Sequence, residues 1–150
     1  MDNSITTINN ADLLQQIIND CVEKFKSVSD ESWSKKPFEN KWSKQEILGH
    51  LCDSAMNNIR RFVVSQYEQN NVIVYKQDDW VALQDYQSEN YQDIILLWKL
   101  LNEQVIRIIK NIPGEKLNNT CKSPDEHSLI FLIDDYIRHL NHHLNQILNQ

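Results

Sequence analysis

Apolar side chains recur at helical spacing in four segments of this chain. The first segment runs from about Ala11 to Val28 and the second from Ser43 to about Gln69. The third begins after Ser88 and runs to about Ile112, and the fourth runs from about Glu126 nearly to the last residue. A repeat of about 3.6 residues is typical of amphipathic helices that bury one face. The pattern predicts an all-α fold, a four-helix bundle in a single domain spanning residues 1–150.

The ends of the segments carry signals of their own. Ser43 and Glu46 fit a capping box at the start of the second helix. Asn9 and Asn10 are candidate N-caps of the first helix. The pair Pro113-Gly114 predicts the end of the third helix.

The connection between Gln69 and Ser88 is long for a helical bundle. It is also too apolar to be a free linker, and long ordered loops often carry function. Our hypothesis is that Tyr75 and Trp80 pack near the bundle mouth and bind substrate, although Trp80 has an equal claim to a purely structural place in the core. Asp78 and Asp79 are candidate general bases if the loop covers a site, and loop-capping or surface acids otherwise.

Composition narrows the class of protein. The net charge of −6 gives no electrostatic support for nucleic-acid binding. No apolar run is long enough to span a bilayer, and the N-terminal stretch MDNSITTINN is polar, so we expect a cytoplasmic protein without a secretory signal. The three cysteines are odd in number and lack metal-type spacing, which predicts reduced thiols.

Three histidines stand beside the apolar stripes. In the fourth helix, His139 and His143 lie about 40° apart on one face. Two imidazoles at this spacing can bind one metal ion together. His142 points about 100° away from His143, and His127 opens the helix in a polar stretch, so both are expected at the surface. His50, in the second helix, flanks its own apolar line and is a candidate third ligand.

Helix direction tests this idea independently of residue type. His50 lies near the start of its helix, whereas His139 and His143 lie near the end of theirs. If the two helices ran parallel, the histidines would be roughly 20 Å apart. A plain up-down-up-down bundle makes the second and fourth helices parallel. The metal site therefore requires a crossover that makes the second and third helices parallel, and the long connection stands where that crossover is needed.

A second interpretation of the histidines stays open. A single histidine on a partly apolar face is usually a packed, hydrogen-bonded core residue, and an HxxxH pair arises by chance often enough to be weak evidence alone. Asp53, one turn after His50, is either part of the site or a cap or surface charge. Asn57 shares the His50 stripe with Ser54 and Arg61 and is a candidate substrate-binding residue. Gln146 extends the His139 face and could orient a ligand, but both amides are equally compatible with bonds inside the bundle.

Several motifs in order resemble one known family. They are W-S-x-x-E-x-L-x-H-L-x-D-S from Trp42, then MNNIRRF, the loop YKQDDW and a terminal H-x-x-H-H-x-x-x-x-I from His139. This combination resembles the DinB-like superfamily over essentially the whole chain, and within it the metal-dependent hydrolase branch that includes bacillithiol transferases. Ala55 departs from relatives in which a second histidine follows the aspartate-serine pair.

The resemblance implies an up-down-down-up four-helix bundle and often a homodimer. It implies a divalent metal ion, commonly zinc or nickel, held by His50, His139 and His143. It also implies hydrolysis, or transfer of a low-molecular-weight thiol to an electrophile, with a small molecule as substrate. The competing hypothesis is a non-catalytic binding or structural module in which the metal staples two helices.

Overall fold

The computed structural model describes residues 3–149, and four long helices make up most of it. The elements, in chain order, are α1 (Asn3–Phe25), α2 (Asp30–Ser34), α3 (Lys44–Val64), β1 (Asn71–Val72), α4 (Gln77–Leu83), α5 (Tyr91–Asn111), β2 (Thr120–Lys122), β3 (Glu126–Ser128) and α6 (Leu129–Leu148). Short 3-10 turns at Tyr86–Ser88 and Gly114–Lys116 flank α5. The long helices α1, α3, α5 and α6 correspond to the four predicted segments.

Cross-helix contacts fix the direction of each long helix. At the start of α3, the Gln45 side chain donates to the backbone oxygens of Tyr86 and Glu89, just before α5, so α3 and α5 run parallel. The Lys44 ammonium donates to the backbone oxygen of Ile147, so α3 and α6 run antiparallel. Near the start of α1, Asn10 bonds to Asp134 near the start of α6, so these two helices run parallel. The bundle is therefore up-down-down-up, as predicted.

Local capping explains some helix ends and corrects others. Ser43 caps α3, and the capping box with Glu46 is complete, as predicted. The prediction that Asn9 and Asn10 cap the first helix is wrong, because α1 already begins at Asn3. The last helix begins at Leu129, later than predicted, because the three preceding residues pair as β3 with β2. The Ser128 side chain, which accepts from Phe131 N, caps it instead.

The crossover between α3 and α5 is structured rather than a free loop. It contains β1 and α4, and β1 pairs in parallel with β2, which in turn pairs antiparallel with β3. This three-stranded sheet was not predicted, since strands of two or three residues are too short to show alternation. The sheet joins the crossover to the α5–α6 connection by strand pairing, and its β2–β3 hairpin lines one side of a cavity.

Three large aromatic residues pack together in the core of the bundle. The Phe25 ring lies 5.4 Å from Trp33 and 5.6 Å from Trp98, centroid to centroid, and all three are buried. At Gly49 in α3, an added Cβ would lie 2.2 Å from the Tyr86 ring, so only glycine lets that ring pack onto the helix backbone.

In the part of the chain that the structure describes, no helix combines the length and apolar character needed to cross a membrane.

Candidate metal centre

Three histidine rings meet between the start of α3 and the end of α6. His50, His139 and His143 each offer a nitrogen, and these three nitrogens lie within 4.8 Å of one another. The Nε2 atoms of His50 and His139 face each other at 3.2 Å. The His143 ring centroid is 4.7 Å from His50 and 4.6 Å from His139. The antiparallel packing of α3 on α6 is what brings these residues together.

The rings are held in their neutral form. Burial, with the neighbouring His139 and His143, lowers the pKa of His50 to about 3. Burial and His143 lower the pKa of His139 to about 4. The pKa of His143 is also lowered, chiefly by burial, although its hydrogen bond to Gln146 opposes the shift. Neutral imidazole is the protonation state that binds a metal ion.

Hydrogen bonds leave ring nitrogens available for a further ligand. The His143 Nδ1 lies 2.8 Å from the Gln146 Oε1, and because an amide oxygen only accepts, His143 carries its proton on Nδ1 and presents a lone pair at Nε2. Within the described residues, the buried His50 Nδ1 has no hydrogen-bond partner. Three neutral nitrogens at this spacing fit a divalent transition-metal ion.

A cavity of about 280 Å³ lies on the His139 side of the cluster. Ser54, Asn58 and Arg61 line it from α3, and Tyr75 lines it from the crossover. The β2–β3 hairpin and α6 close the remaining wall, which includes Ser123, Pro124, His127, Leu132, Asp135 and Tyr136. Ser54 and Arg61 share the predicted His50 stripe, but their sequence pattern indicated no role for them.

A wider groove of about 900 Å³ lies on the His143 side. Trp42 lines it and also packs on His50 with ring centroids 5.0 Å apart. Phe38 and Val81 supply further apolar wall, and Gln146 and Asp78 lie at the same groove. The histidine cluster is therefore bordered by two separate spaces.

The predicted substrate-binding residues lie in different surroundings. Tyr75 borders the smaller cavity, and the Trp80 ring packs against it at 5.6 Å. Asn57 is buried, and its amide donates to the backbone oxygen of Asp53, a bond inside α3. Asp78 and Asp79 lie in the first turn of α4, both exposed, and Asp78 borders the groove.

The structure contradicts one of the roles expected for Asp53. It is fully buried, so the surface-charge interpretation is wrong. Its Oδ1 accepts from the Tyr86 hydroxyl at 2.7 Å and from Gln84 Nε2 at 3.0 Å. Burial raises the pKa of this carboxyl, and the two hydrogen bonds partly offset the shift. Asp53 thus fastens the end of the crossover to α3.

The remaining histidines lie apart from the cluster. His142 is exposed, as expected, and its ring is 5.1 Å from His143. The prediction of a surface position for His127 is wrong in part, because this residue is half-buried in β3. Its ring stacks on Phe131 at 4.2 Å and lines the smaller cavity. The short sheet, which the sequence did not reveal, places it there.

Fold and cluster together define a class of protein: an up-down-down-up helical bundle with three convergent histidines. The model of the DinB superfamily matches residues 13–147, and the chain belongs to that superfamily.

Two curated bacterial relatives carry the name "Putative metal-dependent hydrolase". The protein from Halalkalibacterium halodurans is 31% identical over 114 residues, which are 73% of this chain and 65% of the relative. The protein from Bacillus cereus strain AH820 is 28% identical over 109 residues, or 71% of this chain and 62% of the relative. The chain thus spans less than two thirds of either relative's length.

A solved structure shares the fold. YfiT from Bacillus subtilis, described as "a probable metal-dependent hydrolase with an unusual four-helix bundle topology", superimposes with a TM-score of 0.80 at 19% identity. The match covers 97% of this chain and 84% of YfiT. At this level of identity the likeness establishes the bundle topology.

Proposed function

We propose that this chain is a metal-dependent hydrolase that acts on a small molecule through His50, His139 and His143. The observation that carries the proposal is the convergence of three neutral imidazoles within 4.8 Å, beside two spaces large enough for small ligands. The names of the two curated relatives and of YfiT agree with it. When bound, a zinc or nickel ion supplies a Lewis acid that polarises a substrate oxygen and makes water a stronger acid.

The surrounding side chains have distinct tasks in this proposal. Gln146 holds the His143 ring in the tautomer that directs Nε2 toward the ion. Asp78 is the better-placed candidate general base of the two loop acids, since it borders the groove beside His143. Tyr75 walls the smaller cavity, and Trp80 supports it. The role of Asn57 toward a substrate stays a prediction, as do the homodimer and the cytoplasmic location.

A second candidate is transfer of a low-molecular-weight thiol to an electrophile. The observation that favours it is the presence of two separate spaces, one reaching His139 and the other reaching His143. A hydrolase needs room for one organic substrate and water, whereas a transferase must hold two organic reactants at once. A screen with and without a small thiol separates these activities.

Metal content tests the ligand assignment. His50→Ala, His139→Ala and His143→Ala should each lose most of the bound metal, because two remaining imidazoles hold the ion far more weakly. His142→Ala and His127→Ala are matched controls and should keep it. The measurement is metal analysis of the purified variants, with melting temperature recorded for each. Equal metal content in all five variants would exclude the site.

Chelation then separates an enzyme from a metal-stapled structural module. If the metal is catalytic, removing it abolishes turnover and adding zinc or nickel back restores turnover. If the metal only staples α3 to α6, removing it lowers the melting temperature and leaves any turnover intact.

A further inference from the structure

The cavity on the His139 side contains a buried guanidinium. Arg61 is 9% exposed and lines this space together with His139. Among the described residues that form the cavity wall, Arg61 is the only lysine or arginine. A cavity of about 280 Å³ is at the small end of the usual range for ligand sites, so its occupant is a small molecule.

The bonds that Arg61 makes are all to neutral oxygens. Its Nε and Nη2 donate to the backbone oxygen of Ile73 at 3.1 and 2.8 Å, and its Nη1 donates to the Asn58 Oδ1 at 3.3 Å. Within residues 3–149, no carboxylate forms an ion pair with it. A guanidinium has five N–H groups, so donors remain after these three bonds.

A structural role explains part of this arrangement. The two bonds to Ile73 fasten the crossover to α3, and a neutral donor would serve that purpose as well. A buried positive charge is unfavourable unless an anion or a full set of hydrogen bonds compensates it. Asp135 is the acidic residue in the cavity wall, and its carboxylate is engaged by Arg138. Asp135 attracts the Arg61 charge through space, and the Tyr75 ring lies 5.9 Å from the guanidinium carbon. Among the described residues, however, no ion pair includes Arg61, so its charge is only partly compensated.

We infer that Arg61 binds the carboxylate of a small monoanionic substrate whose reacting group lies at the histidine cluster. The inference rests on the proposed function for the identity of the reacting centre. Arg61 offers the fork of donors that carboxylates accept. A monoanion fits better than a phosphate dianion, because the wall holds one cation and the Asp135 carboxylate repels added negative charge.

An NMR titration of the metal-free protein, residues 1–150, tests this inference. The probe is phenylacetate, and the readout is the Arg61 side-chain Nε–H signal, which a purely structural role would leave unmoved. Phenylacetate should shift that signal and saturate. Its neutral isostere phenylacetamide should bind at least about tenfold more weakly than phenylacetate, since the charge-assisted bond is lost. Phenyl phosphate, the dianion, should also bind more weakly than phenylacetate.

Three variants test the assignment of Arg61 further through their affinity for phenylacetate. Asp135→Asn keeps the side-chain shape, removes the opposing charge and should tighten phenylacetate binding several-fold. Arg61→Lys keeps the charge but not the fork and should weaken it. Arg60→Gln, an exposed neighbour on the same helix, is the matched control and should change nothing.

The outcomes distinguish this inference from the proposed function. Carboxylate binding in a protein that takes up no metal would sink the hydrolase proposal and leave the Arg61 site standing. Metal uptake through the three histidines with an unmoved Arg61 signal, or equal binding of acid and amide, would overturn the Arg61 assignment alone.

Discussion

Two aromatic side chains pack on the Gly49-His50 stretch. Trp42 packs on the His50 ring, and Tyr86 packs against the backbone of the preceding Gly49. Glycine inside a helix usually weakens it. Here its missing side chain lets the crossover lie close to α3, directly beside the histidine. The stretch Gly49-His50 thus serves packing and chemistry at once.

Only some of the residues that form the site could be predicted from the sequence. The three histidines stood out because imidazoles four residues apart on a helix share a face. Arg61 and Asp53 did not, because a charged residue on a helix gives no sign of whether it will be buried. Their burial depends on the crossover, which covers α3 through Ile73 and Tyr86.

The lowered pKa values predict how the metal-free protein responds to acid. His50 and His139 have pKa values of about 3 and about 4 in the folded protein, against about 6.5 in an unfolded chain. As pH falls below about 6.5, the unfolded chain takes up protons that the folded chain does not. The stability is therefore complete above that pH and should decline steadily toward pH 4.

Urea unfolding with chelator present, at several values between pH 7.5 and pH 5.5, measures this decline. His139→Asn should flatten the decline, since one of the responsible groups is gone, and the exposed His142→Asn should not. An unchanged urea midpoint across this range, or the same decline in His139→Asn, would contradict the prediction. The same lowered pKa values also affect metal binding. They move the direct competition between protons and metal to a more acidic pH than an unperturbed imidazole, with a pKa of about 6.5, would show.

At the scale of elements, the crossover is the part of the chain whose importance was predicted and whose form was not. Its length and apolar content indicated an ordered segment. They could not indicate that two residues would pair with β2, fifty positions along the chain, because such pairing depends on the tertiary fold. The result is a segment fixed at β1 by strand pairing, at Ile73 by Arg61 and at Tyr86 by Asp53.

Tyr75→Phe and Trp80→Phe test whether this segment serves the site or only the core. Tyr75 borders the cavity and lies under the Arg61 guanidinium, 5.9 Å from the ring centroid. Losing its hydroxyl should lower turnover while metal content and melting temperature stay near those of the parent protein. Trp80→Phe should cost about 1 kcal/mol of stability and affect turnover less, because Trp80 acts through Tyr75.

Activity per folded molecule, metal content and melting temperature are measured on the same preparations. Tyr67→Phe is the matched control, since that tyrosine is 73% exposed and does not line the cavity. Normal turnover in Tyr75→Phe together with lost stability would leave the crossover as packing alone.

At the scale of the whole molecule, the bundle topology could be predicted from one chemical requirement, namely that the three histidines meet. Three histidines near opposite ends of their helices can meet only if α3 and α6 run antiparallel, and the length of the crossover permits this. The small sheet, the two spaces beside the cluster and the burial of Arg61 all arise from packing between distant segments. None of these leaves a periodic signal in the sequence, so none was predicted.

The predicted homodimer belongs to this scale, and the surface of α5 is where we expect it. Leu96, Leu97 and Leu100 lie on one face of that helix and are 54%, 37% and 54% exposed. Covering the exposed part of each leucine removes apolar surface from water, and in a two-fold symmetric interface each residue counts twice. The double variant Leu96→Glu with Leu100→Glu should therefore be monomeric, because paired carboxylates would be forced into an apolar contact. Leu83→Glu, at a leucine in α4 that is 85% exposed, is the control and should stay dimeric. Sedimentation velocity measures the masses, against 17.8 kDa for one chain. A monomeric parent protein at micromolar concentration, or a double variant that still dimerises, would rule out this face.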